Sequence, residues 1–280
     1  MPHVSAAPLP TRAGENIRPC LRLAGRAVLP LALPALLLSV WALLSASETV
    51  PAYLLPSPAR VLSSLYEYAL GSGRSFQGRL FSDLSASLGR VAAGFSLAGC
   101  VGLTFGVLCG RSLLARRMLA PGINCLRAVP GICWLPLGLV WLGIGNTSTV
   151  FLIALAAFFP IYLNTTAAVM SVSNLMIRSG RMLGFSGARL LFGVIMPAAA
   201  PQILTGMRLG LGLGFAYLVL GELTGVPDGL GAMIMDARAV GRVDMILCGI
   251  LILALTGWLA DVLFRLLAGA CFPSIRRSRL

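Results

Sequence analysis

Six long apolar runs constrain this chain more than any other feature of its sequence. A helix needs about 20 mostly apolar residues to cross the hydrocarbon core of a bilayer, and each run supplies that length. The runs lie at residues 27–47, 84–110, 113–143, 148–171, 199–224 and 245–270. Backbone polar groups in lipid must pair with one another, so such runs form helices. The sequence therefore predicts an all-α integral membrane protein with about six transmembrane helices.

The composition and the flanking segments agree with this prediction. Only 11% of the residues are charged and 58% are hydrophobic, whereas a soluble domain has about 25% charged residues. The first run is long for a signal peptide, so we expect it to be a retained helix. The expected organisation is a cytoplasmic tail at 1–26, a transmembrane domain at 27–270 and a basic cytoplasmic tail at 271–280. The third run contains three prolines and is either one kinked span or two pieces.

The distribution of arginine predicts the orientation of the chain. With six spans and an inside N-terminus, fifteen arginines fall in inner segments, five in outer segments, and Arg90 and Arg127 inside spans. An excess of basic residues marks the cytoplasmic side, so both termini are expected there. The net charge of +13 is explained by these topology signals, since the arginines lie in short segments between apolar runs. No nucleic-acid partner is therefore expected.

Several kinds of chemistry are excluded by the residues that the chain lacks. It contains no lysine, so it cannot carry the phosphate-binding loop of an ATPase. His3 is the only histidine and the seven cysteines form no CxxC pair, so we expect no metal, cofactor or catalytic site. Ion-coupled transport would need ionisable groups in mid-membrane, and Arg90, Arg127 and Glu222 are few for that purpose. If ATP supplies the energy, it must act through a partner on the cytoplasmic side.

Two runs contain small residues at every fourth position. Such ladders let two helix backbones approach closely. They serve packing within the chain, or else a subunit interface or a translocation path. The ladder residues are Gly94, Ala98, Gly102, Gly106 and Gly110 in the second run, and Gly206, Gly210 and Gly214 in the fifth.

The segment between the fourth and fifth runs predicts a two-helix elbow at 172–197 that protrudes into the cytoplasm. It resembles the coupling-loop signature of binding-protein-dependent ABC importer permeases, which is Glu-Ala-Ala, three residues, Gly, nine residues, Ile, one residue and Leu-Pro. The matching positions are Arg178-Ser179-Gly180, Gly184, Val194 and Met196-Pro197. Further segments along the chain resemble the nitrate/sulfonate/taurine branch of that family. They are residues 55–65, 87–95, 133–165, 197–214 and 236–238.

This resemblance implies a fold like that of type I ABC importers and a set of partners. It implies a bacterial inner-membrane permease that pairs with a second permease subunit, either itself or a sister chain. Two cytoplasmic ATPase subunits would hold ATP and Mg, and an extracytoplasmic binding protein would deliver the solute. The solute would be a small anion such as a sulfonate, taurine or nitrate, and its identity is open. The alternative is a secondary transporter or channel that ATP does not drive.

The resemblance also implies residue roles. The residues expected to couple to the ATPase are Arg178, Arg181, Leu183, Gly184, Phe185, Ser186 and Pro197. Arg178 replaces the family's Glu, which reverses the charge. Either the partner ATPase has adapted to it, or this contact is weak, or a nearby residue is used instead.

Four residues are candidates for the pathway, each with a structural alternative. Arg127 would attract an anion, or it snorkels or pairs within the chain. Asn164 would bind solute or bond across helices, and Glu222 would gate the outer mouth, bind the solute receptor, or act as a plain interfacial carboxylate. Trp134 would line the pathway, or else belong to the interfacial belt or pack against other helices.

Overall fold

The computed structural model describes residues 18–47, 51, 53–71 and 76–271, with side chains from residue 32 to residue 270. Within these ranges the chain is helical and has no strand. The helices are α1 (Arg18–Ala46), α2 (Pro58–Leu70), α3 (Leu80–Arg111), α4 (Leu113–Ala128), α5 (Trp134–Leu142), α6 (Asn146–Ser171), α7 (Asn174–Met182), α8 (Gly187–Leu190), α9 (Met196–Glu222), α10 (Leu230–Ala239) and α11 (Val243–Cys271). Most of the tails expected at 1–26 and 271–280 lies outside the described residues.

Four helical stretches in the described part of the chain are long and apolar enough to cross a membrane. They are Leu80–Arg111, Asn146–Ser171, Gly187–Glu222 and Val243–Ala270. The bent pair α4–α5 is a further candidate, and the apolar part of α1 that has described side chains is Ala32–Ala46. The six predicted runs thus correspond to α1, α3, α4–α5, α6, α9 and α11.

The third run is two helices rather than one kinked span. α4 and α5 meet at an angle of 86°, and a short 3-10 turn, Gly131–Cys133, lies between them. Pro130 causes the break, since proline donates no hydrogen bond and disfavours helical backbone in the preceding residue. Val129 is accordingly extended, with φ −73° and ψ 121°.

The chain divides into two compact units, residues 1–60 and 61–280. In the first unit, Nε1 of Trp41 on α1 donates a hydrogen bond to the carbonyl oxygen of Pro56 at 3.1 Å. In the second unit, α6 packs between α3 and α9. Ile161 of α6 is fully buried and contacts glycines on both neighbours: Cβ atoms added at Gly102 and Gly210 would lie 2.9 and 3.0 Å from its side chain.

Two short helices at the other end of the bundle from the predicted elbow complete the second unit. α2 and α10 bury Tyr68, Leu230 and Met233 against Met245 of α11. Neither helix was expected from the sequence, because both lie in polar segments between the apolar runs. Their packing brings several polar side chains into one buried cluster, which is described below.

Candidate functional site

The elbow predicted at 172–197 consists of two short helices joined by a tight turn. The Oγ of Ser173 accepts a hydrogen bond from the backbone N–H of Met176 at 3.3 Å and so caps the start of α7. After the turn, α8 continues through a π-helical segment, Leu191–Ile195, directly into α9. A displacement of the second elbow helix is therefore a displacement of the membrane-spanning helix that follows it.

Gly184 closes α7 with a hydrogen-bonded turn that favours glycine. Its φ is +83°, a conformation that side chains with a Cβ rarely adopt. The N–H of Phe185 donates to the carbonyl of Gly180 at 3.0 Å, and the N–H of Gly184 donates to the carbonyl of Arg181 at 3.0 Å. These two bonds form a Schellman motif, which fixes the angle between the two elbow helices.

The base of the elbow is packed into the membrane domain. Leu190 and Ile195 are buried in one cluster with Val169 of α6 and Ala199 of α9. On α7, a Cβ added at Gly180 would lie 3.0 Å from Leu190, so the two elbow helices also touch each other closely. The base of the elbow is thus in direct contact with both α6 and α9.

The tip of the elbow is apolar, basic and exposed. Met182 and Leu183 are 87% and 77% exposed, which is unusual for large apolar side chains unless they meet a partner or lipid. The exposed Arg178 and Arg181 form no salt bridge within the residues described. Phe185 is held in place from one side, because a Cβ at Gly193 would lie 3.1 Å from its ring.

The structure brings six of the seven predicted coupling residues together at this tip. Pro197 lies apart from them, exposed near the start of α9. Because α9 continues directly from the π-helical segment, this proline removes one backbone donor from the helix. The six residues at the tip are Arg178, Arg181, Leu183, Gly184, Phe185 and Ser186.

Arg127 lies at a cavity of about 280 Å³ between the α4–α5 break, α6 and α9. The cavity is otherwise mostly apolar, with Phe159, Pro160, Leu213 and Tyr217 among its lining residues. Arg127 is exposed and has no salt bridge within the described ranges. The cavity thus has the size of a small molecule, and its polar groups include the positive charge of Arg127 and the hydroxyl of Tyr217.

Trp134 and Asn164 are held separately from that cavity. The Nε1 of Trp134 is buried and has no hydrogen-bond acceptor among the described residues. The side-chain amide of Asn164 donates to the carbonyl of Pro160 at 2.9 Å, and its Cβ would lie 2.4 Å from a Cβ added at Gly206. Asn164 thus has a packing role between α6 and α9 in this conformation.

Glu222 is fully buried and paired with Arg90. Nη1 of Arg90 donates to Oε1 of Glu222 at 2.5 Å, and Nε donates to Oδ1 of Asn146 at 2.7 Å. Arg90 also contacts the carboxylate and the carbonyl oxygen of Asp228. Since Glu222 is 0% exposed, its surroundings in this conformation are those of a structural ion pair rather than of a residue at an open mouth.

The cluster around this pair is larger than the sequence indicated. Ser87 donates to Glu222 at 2.7 Å and accepts from the N–H of Leu230 at 2.9 Å, and the N–H of Gly231 donates to Glu222 at 2.8 Å. These bonds join α3, the end of α9 and the start of α10. One feature of the sequence does point to the central pair of this cluster. Ionisable residues inside apolar runs usually pair with one another, and Arg90 and Glu222 are two such residues.

Asp83 and Tyr68 extend the same cluster to α2. The Tyr68 hydroxyl donates to Asp83 at 2.7 Å, and the N–H of Gly229 donates to the other carboxylate oxygen at 3.1 Å. Burial, followed by the hydrogen bond to Asp83, raises the pKa of the Tyr68 hydroxyl above its usual value. The phenol therefore stays protonated and keeps donating over the whole physiological pH range.

Both glycine ladders pack against α6. Cβ atoms added to the glycines of α3 or α9 would lie within 2.4–3.4 Å of α6 side chains, so the helices are in backbone-level contact. The glycines concerned are Gly102, Gly106 and Gly110 on α3 and Gly206, Gly210 and Gly214 on α9.

No group of three or more His, Cys, Asp or Glu side chains could hold a metal ion in the part of the chain that the structure describes. The five cysteines with described surroundings are all free. No residue set there offers the ligands that a bound metal requires.

Comparison with known proteins assigns the chain to a family. Residues 102–277 match the model of the family described as binding-protein-dependent transport system inner membrane component. The chain is 38% identical over 237 residues to the putative aliphatic sulfonates transport permease protein SsuC of Bacillus subtilis, covering 85% of this chain and 84% of the relative. It is 37% identical over 239 residues to the taurine transport system permease protein TauC of Escherichia coli, covering 85% and 86%.

A further relative and a solved structure agree with this result. The nitrate import permease protein NrtB of Synechocystis is 34% identical over 244 residues, covering 86% of this chain and 87% of the relative. A structure titled as an inward-facing conformation of the MetNI methionine ABC transporter has a similar fold, with TM-score 0.54, 18% identity and coverage of 66% of this chain and 94% of that one. The chain therefore belongs to the family of binding-protein-dependent transport system inner membrane components and is a multi-pass ABC transporter permease of the sulfonate, taurine and nitrate type.

Proposed function

We propose that this chain forms the pathway of an importer for a small anionic solute and that ATP hydrolysis on a separate chain drives it through the elbow. The exposed tip around Leu183, on an elbow whose base packs against α6 and α9, is the observation that carries this proposal. The relatives are named for sulfonates, taurine and nitrate, whose common feature is a compact oxyanion group. A positive charge in the Arg127 cavity suits such a solute.

In the proposed coupling contact, the partly apolar tip of the elbow inserts into a cleft on the ATPase. Leu183 and Phe185 supply apolar contact area, and Arg178 and Arg181 require acidic or polar groups opposite them. Gly184 and Ser186 hold the turn, and Pro197 starts the helix that carries the motion onward. ATP and Mg bind the partner chain, because this chain lacks the lysine of a phosphate-binding loop.

The proposed assembly has two permease copies, two ATPase subunits and a solute-binding protein. The elbow and both termini face the cytoplasm in this arrangement, supported by the excess of arginine in those segments. The binding protein then docks at the opposite end, where α2 and α10 lie. A C-terminal reporter that is active only on the outer face would contradict this orientation.

The turn at Gly184 provides the test of coupling. Proline cannot adopt a φ of +83°, so Gly184→Pro should abolish the fixed turn while the membrane helices still insert. Asparagine tolerates this conformation, which makes Gly184→Asn the matched control. In proteoliposomes that contain the permease, ATPase and binding protein, Gly184→Pro should lose ATP-dependent uptake and Gly184→Asn should keep most of it.

Two results would count against the proposal. Full ATP-dependent uptake by Gly184→Pro would show that the turn does not transmit the motion. Uptake that continues without ATP or without the ATPase subunits would favour the alternative, a secondary transporter or channel.

The charge at Arg127 provides a separate test of the solute class. Arg127→Gln should lower the rate of uptake of a sulfonate or nitrate, while Arg127→Lys, which keeps the charge, should retain more of it. Equal rates for wild type and both variants would remove the electrostatic argument for an anionic solute without affecting the argument for ATP coupling.

A further inference from the structure

Two adjoining cavities lie where α9 meets α11, on the half of these helices nearer the elbow. One, of about 420 Å³, is lined by Thr205, Arg208 and Arg265 among others. The second, of about 560 Å³, is lined almost entirely by apolar side chains, including Ile203 and Leu267. Leu204, Phe264 and Ala268 line both cavities, so together they form one groove with a basic end and an apolar end.

The basic end has more positive charge than the described residues around it neutralise. Arg208 binds Asp261 through Nε at 2.5 Å and Nη2 at 3.0 Å. Nε of Arg265 approaches the same carboxylate at 3.2 Å. Two guanidinium groups thus share one carboxylate, and the two terminal nitrogens of Arg265 have no hydrogen-bond acceptor among the described residues.

The position of these arginines makes the excess charge significant. Arg208 and Arg265 belong to the fifteen arginines predicted to lie in inner segments, but the structure places them inside the candidate spans Gly187–Glu222 and Val243–Ala270. Their side chains remain 49% and 37% exposed. Charged residues inside spans normally pair with other groups, and guanidinium binds phosphate strongly through paired hydrogen bonds. These partly exposed arginines therefore keep hydrogen-bond donors that an external anion would satisfy.

We propose that this groove binds one anionic phospholipid of the leaflet on the elbow side. Its phosphate lies against Arg265 and Arg208, and one acyl chain lies along the apolar cavity. A phospholipid is the ligand whose charge and apolar chain are joined in the order that the two cavities present. This proposal does not depend on the identity of the solute or on the ATPase.

The apolar cavity also reaches the base of the elbow. Phe192 of the π-helical segment and Pro197 at the start of α9 line it, and Phe192 is exposed. A bound acyl chain would therefore contact the segment that joins the elbow to its membrane helix. The anionic lipid content of the membrane would in this way affect how firmly that junction is held.

The test is lipid retention by the purified full-length chain. Nanodiscs of phosphatidylcholine with phosphatidylglycerol as the minor component are prepared, and the released protein is measured by native mass spectrometry. Wild type should retain one phosphatidylglycerol per protomer in preference to phosphatidylcholine. Arg265→Gln should lower that preference about fivefold, the effect of one basic residue near anionic lipid, and Arg265→Lys should restore most of it.

Arg265→Gln leaves the Arg208–Asp261 pair intact, so the fold is expected to survive. Arg117→Gln is the matched control, since Arg117 is an exposed arginine on α4 that lines neither cavity; it should leave the preference unchanged. Ala268→Phe fills the groove and should lower retention of phosphatidylglycerol even with both arginines present.

Three outcomes would overturn the proposal. Equal retention of the two lipids by wild type would show that the arginines select no headgroup. An equal loss in Arg117→Gln would show that only overall charge matters. Efficient disulfide formation between Leu36→Cys on α1 and Leu204→Cys would show that a protein helix covers the groove.

Discussion

Replacing Arg90 by methionine should destabilise the membrane domain, because Glu222 would be left buried without its charged partner. Arg90 hydrogen-bonds Asn146 at the start of α6, Glu222 at the end of α9 and Asp228 in the following loop. Like arginine, methionine has a long unbranched aliphatic stem. Arg90→Met therefore removes the hydrogen bonds and the charge while keeping most of the side-chain volume.

The size of the effect follows from the burial of Glu222. Removing one partner of a buried ion pair costs about 3–5 kcal/mol, because the other charge is left without compensation. Ser87 and the N–H of Gly231 still donate to Glu222, so the lower end, about 3 kcal/mol, is expected. At about 2–4 °C per kcal/mol for a chain of this size, the apparent Tm should fall by about 6–12 °C.

A double variant separates the buried charge from lost packing. In Arg90→Met/Glu222→Met no buried charge is left, and replacing both partners of a buried pair by apolar residues is often nearly neutral. Asp228 loses its partner but is 42% exposed and can be hydrated. The double variant should therefore be several degrees more stable than Arg90→Met alone.

Heating of the detergent-purified protein followed by size-exclusion chromatography measures these values. Arg238→Met is the control, because Arg238 is an exposed arginine on α10 without a salt bridge within the described ranges; its Tm should not change. An unchanged Tm in Arg90→Met, or a double variant less stable than Arg90→Met, would refute the reasoning from buried charge.

Two further predictions concern packing and a buried hydroxyl. Gly106→Ala should lower Tm, since its Cβ would lie 2.6 Å from Thr165 and overpacking costs about 1–3 kcal/mol, whereas Gly89→Ala on the same helix has free space and should not lower it. Tyr68→Phe should cost about 1 kcal/mol through the lost bond to Asp83. Folding raises the pKa of the Tyr68 hydroxyl, so wild type should lose stability as pH rises above about 10. Tyr68→Phe should lose less stability over the same pH range. Urea unfolding of both proteins at a series of pH values measures the difference.

The positions of the spans could be predicted because the length of an apolar run depends only on the bilayer. The second predicted run, 84–110, lies within α3 at Leu80–Arg111, and the fourth, 148–171, lies within α6 at Asn146–Ser171. The break in the third run could be foreseen only as one of two outcomes. Three prolines lie in that run, and the sequence does not show that Pro130 rather than Pro121 would interrupt the helix.

The polar cluster could not be predicted in the same way because its members are far apart in the chain. Arg90 and Glu222 are separated by 132 residues, and their pairing depends on how α3 and α9 pack around α6. The sequence suggested a gate, a receptor contact or an interfacial carboxylate for Glu222. Its burial against Ser87 and Arg90 in this conformation supports a structural pair, because a carboxylate without exposed atoms cannot reach a docked protein.

The two ends of the domain differ in a way that bears on the proposed coupling. At one end, the polar cluster around Arg90 connects α3, α6 and α9. Along the length of these helices, the glycine ladders bring them into close contact. Closely packed interfaces transmit a displacement instead of absorbing it, so these three helices should move as one body. At the other end, the elbow is exposed at its tip and packed at its base. Transport driven from the elbow should therefore rotate this body, and the α4–α5 break at Pro130, which lies outside it, is where the chain can adjust.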